Sequence, residues 1–273
     1  MSDLQTLSVK NKWQTLKLDE SHAPDFVYVL ELNRPDSMNA LNTLMAEELI
    51  DCIAMLKDQE DLRTLIITGN GTRSFCPGAD LKERKTMDNL QWKRQHDIFE
   101  EAYEAIRNFP FPVIAAVNGY ALGGGMEMLL SCDLRYIAEH AKLGLPEVKL
   151  GIIPGVGGTQ LLPRAIPIAL AKEFLYTGKL LSAQKSVEIG LTNGVYPIES
   201  LMEKTIEVAK EIAGNAPLSL QALKKSVDRG LQTDIHSALQ IELDQYYKCA
   251  YSEDRLEGVL AFNEKRKPNW KGQ

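Results

Sequence analysis

The chain has 273 residues, 44% of them hydrophobic and 25% charged, enough for one large domain or a core domain with an appendage. A net charge of −6 argues against a general nucleic-acid binder, because neutralising phosphates takes a basic surface. Residues 1–17 hold no apolar signal core, and no apolar run has the length needed to span a membrane. Cys52, Cys76, Cys132 and Cys249 have neither CxxC nor zinc-ligand spacing, so reduced thiols in a cytoplasmic protein are expected.

In chain order, residues 26–32 read as a strand stopped by Asn33-Arg34-Pro35. The spacing of Leu44, Leu49, Ile53 and Leu56 predicts a helix over 42–56, with Asn42 as its cap. Residues 65–68 form a short buried strand closed by Gly69-Asn70-Gly71. Residues 74–80 are expected to be a loop, followed by the charged run Lys82-Glu83-Arg84-Lys85, a solvated helix start, and by a helix around 91–108. Val113–Val117 is an apolar strand, and 134–138 another. Repeated strand-then-helix units predict an α/β protein rather than a sandwich. From Ile198 onward the strands stop, and helical patterns fill 203–213, 218–229, 236–250 and 254–265. A core over 1–197 and a helical, oligomer-forming region over 198–273 are therefore expected. No internal repeat of fixed period is visible.

Chemistry concentrates in three turns. Gly123-Gly124-Gly125 stands between an apolar strand and the apolar helical run 126–130. Three glycines let the backbone approach a ligand, and N–H groups at a helix start favour an oxygen anion. Glu127 adds one carboxylate there; taken alone, a dipole partner in a packing turn explains it equally well. Twenty residues on, Glu147 follows Pro146 and precedes a second glycine cluster, Gly155 to Gly158. Two carboxylates beside glycine turns suit paired acid/base work. In the third turn, Gly78 permits a sharp bend and Ala79 leaves its N–H accessible, while Asp80 reads as a turn or cap residue. There is no GxxxxGK[ST] loop, no complete dinucleotide fingerprint and no GxSxG elbow. The four histidines are scattered and form no HExxH.

Taken together and in order, four stretches resemble the crotonase (enoyl-CoA hydratase/isomerase) family. They are Arg34-Pro-Asp-Ser-Met-Asn-Ala-Leu41, Phe75-Cys-Pro-Gly-Ala-Asp-Leu81, the Gly123-to-Glu127 turn, and Pro146-Glu147 through Gln160. The likeness runs on to residues 261–267 and covers nearly the whole chain. Within the family, 79–85, 161–165 and 254–258 look most like the methylglutaconyl-CoA hydratase group. The resemblance implies a spiral of ββα units with a helical C-terminal region, packed as a trimer or a dimer of trimers. It implies that the N–H groups of Ala79 and Gly124 form an oxyanion hole for an acyl-CoA thioester, with Glu127 and Glu147 as the catalytic pair. It further implies that Met38, Ala40, Asp80, Leu81, Lys82, Gly155, Phe262 and Lys265 contact substrate or coenzyme A. No cofactor is implied beyond coenzyme A as part of the substrate, and no metal. Pro77 departs from the commoner alanine, which alters loop stiffness but removes no needed donor. The expected activity is hydration of a 2-enoyl-CoA in fatty-acid metabolism; the open alternatives are methylglutaconyl-CoA hydration, enoyl-CoA isomerisation, or an RNA-associated or non-catalytic acyl-CoA-binding protein.

Overall fold

The computed structural model describes residues 12–273, so the first eleven residues of the stretch read for a signal core lie outside it. The central layer is a six-stranded sheet. It comprises β1 (Leu16–Asp19), β2 (Val27–Leu32), β3 (Thr64–Gly69), β5 (Val113–Val117), β7 (Leu134–Ala138) and β10 (Gly194–Tyr196), adjacent in that order. Only β1 runs antiparallel to its neighbour. Inner parallel strands are covered on both faces, so they show unbroken apolar runs instead of alternation. Leu65, Ile66 and Ile67 in β3 and all five residues of β5 are fully buried.

A second sheet explains the placement of the turns. Its strands are β4 (Ser74–Cys76), β6 (Tyr120–Leu122), β8 (Lys142–Gly144) and β9 (Leu181–Ser182). Each of β3, β5 and β7 in the first sheet is followed by a strand of the second, and then by helical chain. These successive ββα units make the spiral expected from the resemblance. Residues 74–76, read from sequence as loop, are therefore a strand; three residues are too few to display a period. The crossing from β3 to β4 is braced by two buried amides. Asn39 donates to Ser74 O at 2.9 Å, and Asn118 donates to Gly69 O at 2.8 Å and accepts from Gly69 N at 3.1 Å.

Helix α1 (Thr43–Leu56) begins where Asn42 accepts from Met45 N at 3.1 Å, and it buries Met45, Leu49, Ile53 and Leu56. The short α2 (Leu81–Arg84) is capped by Asp80, and α3 (Asn89–Arg107) by a capping box between Asp88 and Gln91. Helix α4 (Gly124–Leu130) lies so close to β4 that a Cβ on Gly125 would fall 1.8 Å from Cys76 O. A 3₁₀ turn, Pro146–Leu150, follows β8 and carries Glu147. Then come α5 (Gly158–Ala165), α6 (Ile168–Thr177) and α7 (Ala183–Glu188).

After β10 the chain is helical: α8 (Ile198–Ala213), α9 (Pro217–Gly230), α10 (Ile235–Ala250) and α11 (Glu253–Glu264). Helix α8 belongs to the main core, with Leu201, Ala209 and Ala213 buried beside the first sheet. Helix α9 is tied back by Lys224, which donates to Asp133 Oδ2 at 2.7 Å and to Phe111 O at 3.2 Å. Among the described residues, no helix is long and apolar enough to cross a membrane.

Candidate active site

The second sheet delivers its strand ends to one cavity of about 690 Å³. Pro77, Gly78 and Ala79 follow β4; Gly123, Gly124 and Glu127 follow β6; Pro146 and Glu147 follow β8. Helix α3 forms the opposite wall with Trp92, His96, Phe99 and Tyr103, and the 151–156 loop closes one side.

Two backbone donors meet here. Around Ala79 the chain pairs with Leu41: Leu41 N donates to Gly78 O at 2.9 Å and Asp80 N to Leu41 O at 2.8 Å. In that register the Ala79 N–H stays out of the pairing. Gly124 is the first residue of α4, where a helix has no internal acceptor for its N–H. The two turns touch, since a Cβ on Gly124 would lie 3.9 Å from Ala79 N. Tyr103, buried, pins the Gly124 peptide by donating its hydroxyl to Gly124 O at 2.7 Å.

Two carboxylates share the cavity. Glu127 is buried, and its Oε1 accepts from Gly158 N at 2.7 Å and Val156 N at 2.9 Å. Burial pushes its pKa up, partly offset by those two donors and by His96 and Arg107 nearby. Both hydrogen bonds fall on Oε1, which leaves Oε2 for the cavity. Glu147 is also buried, and among the described residues no partner reaches its Oε2. Burial first, and then repulsion from Glu127, raise its carboxyl to about 7. A carboxyl that is neutral near pH 7 can leave one oxygen unpaired at far lower cost than an anion. Gly123 is required beside it: φ is +51°, and a Cβ would come within 3.0 Å of Glu147 Oε1.

Of the residues singled out from sequence, Ala79, Leu81, Gly124, Glu127, Glu147 and Gly155 line this cavity. The other six do not line it within this chain. Asp80 caps α2 and pairs with Arg34 at 3.0 Å. Burial alone would raise its pKa, but the hydrogen bond from Arg34 and the backbone donors outweigh that and lower it. Met38 ends a turn in the left-handed region at φ 55°, and the buried Ala40 offers its carbonyl to Arg34. Lys82 is exposed on α2. Phe262, 84% exposed, and Lys265, which closes α11, lie at the far C-terminal end.

The structure also corrects the charged run. Lys82 and Lys85 face solvent, but Arg84 is half-buried and lines the cavity. Its guanidinium lies over Trp92, 4.2 Å from the ring centroid. From sequence, pocket depth is expected to depend on residues 85–96 without any side chain being placed; Trp92, His96, Phe99 and Tyr103 recur at helical spacing and mark the face that lines the cavity.

The profile of the enoyl-CoA hydratase/isomerase family matches residues 23–273. The chain belongs to that family. It is an enzyme of the family, and its fold is the family's spiral. It is 40% identical over 242 residues to a crotonyl-CoA hydratase of Syntrophomonas wolfei, covering 89% of this chain and 93% of that one. It is 39% identical over 251 residues to the mitochondrial methylglutaconyl-CoA hydratase of Mus musculus, covering 90% of this chain and 80% of that one. The crystal structure of an enoyl-CoA hydratase from Bacillus anthracis superposes with a TM-score of 0.92 at 43% identity, covering 95% of this chain and 100% of that one.

Proposed function

We propose that the chain hydrates a 2-enoyl-CoA. The observation that carries this is the pairing of two buried carboxylates, one raised to about 7, with two unpaired N–H donors on the same cavity. When water adds to the β-carbon, electrons move toward the thioester oxygen. The N–H groups of Ala79 and Gly124 hold that oxygen, and losing one such donor typically costs on the order of 10²–10³ in rate. Glu127, its Oε1 fixed by Val156 and Gly158, holds water on Oε2 and takes its proton as the C–O bond forms. Glu147, neutral, gives its proton to the α-carbon, and a proton passing from Glu127 to Glu147 restores both groups. Positioned acid/base groups of this kind contribute roughly 10²–10⁴ each.

Coenzyme A enters as part of the substrate, and Lys82, Phe262 and Lys265 are proposed to meet it, the last two across a subunit boundary. A homotrimer or dimer of trimers would cover the exposed apolar side chains of α9 to α11, among them Leu231, Ile235, Leu239 and Tyr251. The four free cysteines suit a cytoplasmic enzyme. Against the RNA-associated alternative stand the net charge of −6 and the presence of both glutamates. Isomerisation on the same scaffold remains the competing chemistry, and the presence of both glutamates favours hydration.

The test is loss of the conjugated enoyl-thioester absorbance with crotonyl-CoA, a longer-chain enoyl-CoA and methylglutaconyl-CoA side by side. Turnover of at least one is expected. Activity confined to a 3-enoyl substrate would replace hydration with isomerisation.

A further inference from the structure

A hydrogen-bond donor carried on glycine has to be held by its neighbours, because glycine restrains its own φ and ψ least of all residues. Gly124 is the middle one of three glycines, and its N–H stabilises a developing oxyanion only if it is aimed before the reaction begins. The peptide before it is fixed by backbone: Gly123 N donates to Gly144 O at 2.9 Å, and Glu127 N to Gly123 O at 2.9 Å. The peptide after it is fixed by a side chain of α3, the Tyr103 hydroxyl, which donates to Gly124 O at 2.7 Å. Among the described residues, Tyr103 is the only side chain hydrogen-bonded to Gly124. It is fully buried, and the missing Cβ makes room for it, since a Cβ on Gly124 would come within 3.1 Å of the hydroxyl. Burial, with Cys76, Glu127 and Glu147 adding to it, pushes the phenol well up, so the donor keeps its proton at neutral pH.

A buried hydroxyl needs one acceptor, and any spare carbonyl would satisfy it. The carbonyl that Tyr103 takes belongs to the residue whose N–H faces the reacting oxygen. We propose that Tyr103 is a positioning residue for the reaction. By fixing the Gly124 carbonyl it keeps the Gly124 N–H aimed, and so sets how strongly the cavity favours a thioester enolate over a neutral thioester. It acts through the backbone of the turn. This inference rests on the cavity being an acyl-CoA site with Ala79 and Gly124 as its oxyanion donors.

The experiment compares the full chain with Tyr103→Phe, which removes only the hydroxyl. Two ligands are titrated. Butyryl-CoA keeps a neutral thioester, whereas acetoacetyl-CoA loses its acidic α-proton to give an enolate with its own near-ultraviolet band. Butyryl-CoA should bind the variant about as it binds the parent, which shows that the site is folded. Enolate formation in bound acetoacetyl-CoA should weaken roughly 10-fold, seen as a higher apparent pKa for the band. With crotonyl-CoA, kcat should fall by a similar factor and KM should change little. Both effects stay below the 10²–10³ typical of losing a donor outright, because the N–H remains and is only mis-aimed. Gly124→Ala keeps the N–H but crowds the hydroxyl at 3.1 Å, and it too should lose enolate in preference to butyryl-CoA. That variant carries the test if Tyr103→Phe does not fold. An unchanged band and kcat in Tyr103→Phe would overturn the proposal. So would equal weakening of both ligands, the mark of a cavity that has merely loosened. A parent chain that raises no enolate band would remove the oxyanion hole itself, and with it both the role of Tyr103 and the proposed hydration.

Discussion

Replacing Glu147 with glutamine should make the protein less active and, in alkaline buffer, relatively more stable. The carboxyl ordinarily titrates near 4.5 but is raised to about 7 in the folded chain, chiefly by burial and secondarily by Glu127. Between those two values the folded chain holds a proton that the unfolded chain has released, so stability falls as pH rises through that window and levels off above about 7. At 1.36 kcal/mol per tenfold change, the full effect would be about 3.4 kcal/mol. The carboxyl borders an open cavity whose water screens it, which reduces this to roughly 1–2 kcal/mol. Glutamine does not titrate, so it escapes the loss. Its buried amide carries its own cost, on the order of 1–3 kcal/mol, but that cost is the same at every pH.

The quantity to measure is therefore a difference of differences. Urea unfolding of the parent and of Glu147→Gln at pH 5.5 and pH 8.5 should show the variant gaining roughly 1–2 kcal/mol on the parent between the two. Hydration of crotonyl-CoA at pH 7 should fall about 10²–10⁴-fold in the same variant. A pH-independent stability gap would mean that Glu147 is not held neutral by its surroundings. Near-normal turnover would remove it from the proton-transfer role.

Glu127→Gln should lower kcat by roughly 10²–10⁴ while leaving butyryl-CoA binding nearly intact, because a glutamine Oε1 can still accept from Val156 and Gly158; a lost cavity, seen as lost binding, would contradict this. Gly125→Ala should cost about 3 kcal/mol or more, read as a large drop in Tm or as insoluble protein, because the new Cβ would meet Cys76 O at 1.8 Å. Lys224→Met should cost about 2–3 kcal/mol, a Tm fall of about 5–10 °C, since it leaves Asp133 without a cation bonded at 2.7 Å. An unchanged melting curve would show that α9 is held by packing alone.

The first sheet was legible because its strands announce themselves. Val113–Val117 is apolar at every position and buried at every position. Helix α1 was legible through Asn42 and the Leu49, Ile53, Leu56 stripe. The second sheet was not. β4, β6 and β8 are three residues each, so neither alternation nor an apolar run can be displayed. The charged run misled for a related reason: charge alone does not say that Arg84 turns inward, a fate set by Gln95, eleven residues away, and by the rings of α3.

The part that could not be seen is the part that builds the site. Each second-sheet strand ends in a turn that supplies one component: β4 leads to Gly78 and Ala79, β6 to Gly123, Gly124 and Glu127, β8 to Glu147. Parallel pairing of β4 with β6 and of β6 with β8 brings those three turns to the same edge. Residues spread over nearly seventy positions of chain thereby meet at one cavity without any long loop. The short strands bury Phe75, Cys76, Ala121 and Leu143 but are too brief for an apolar pattern to fix their register, and backbones in close contact, as at Gly125 on Cys76 O, help to hold it. That is why the glycines and the glutamates could be read from sequence as separate turns, while their meeting depended on strands too short to be read at all.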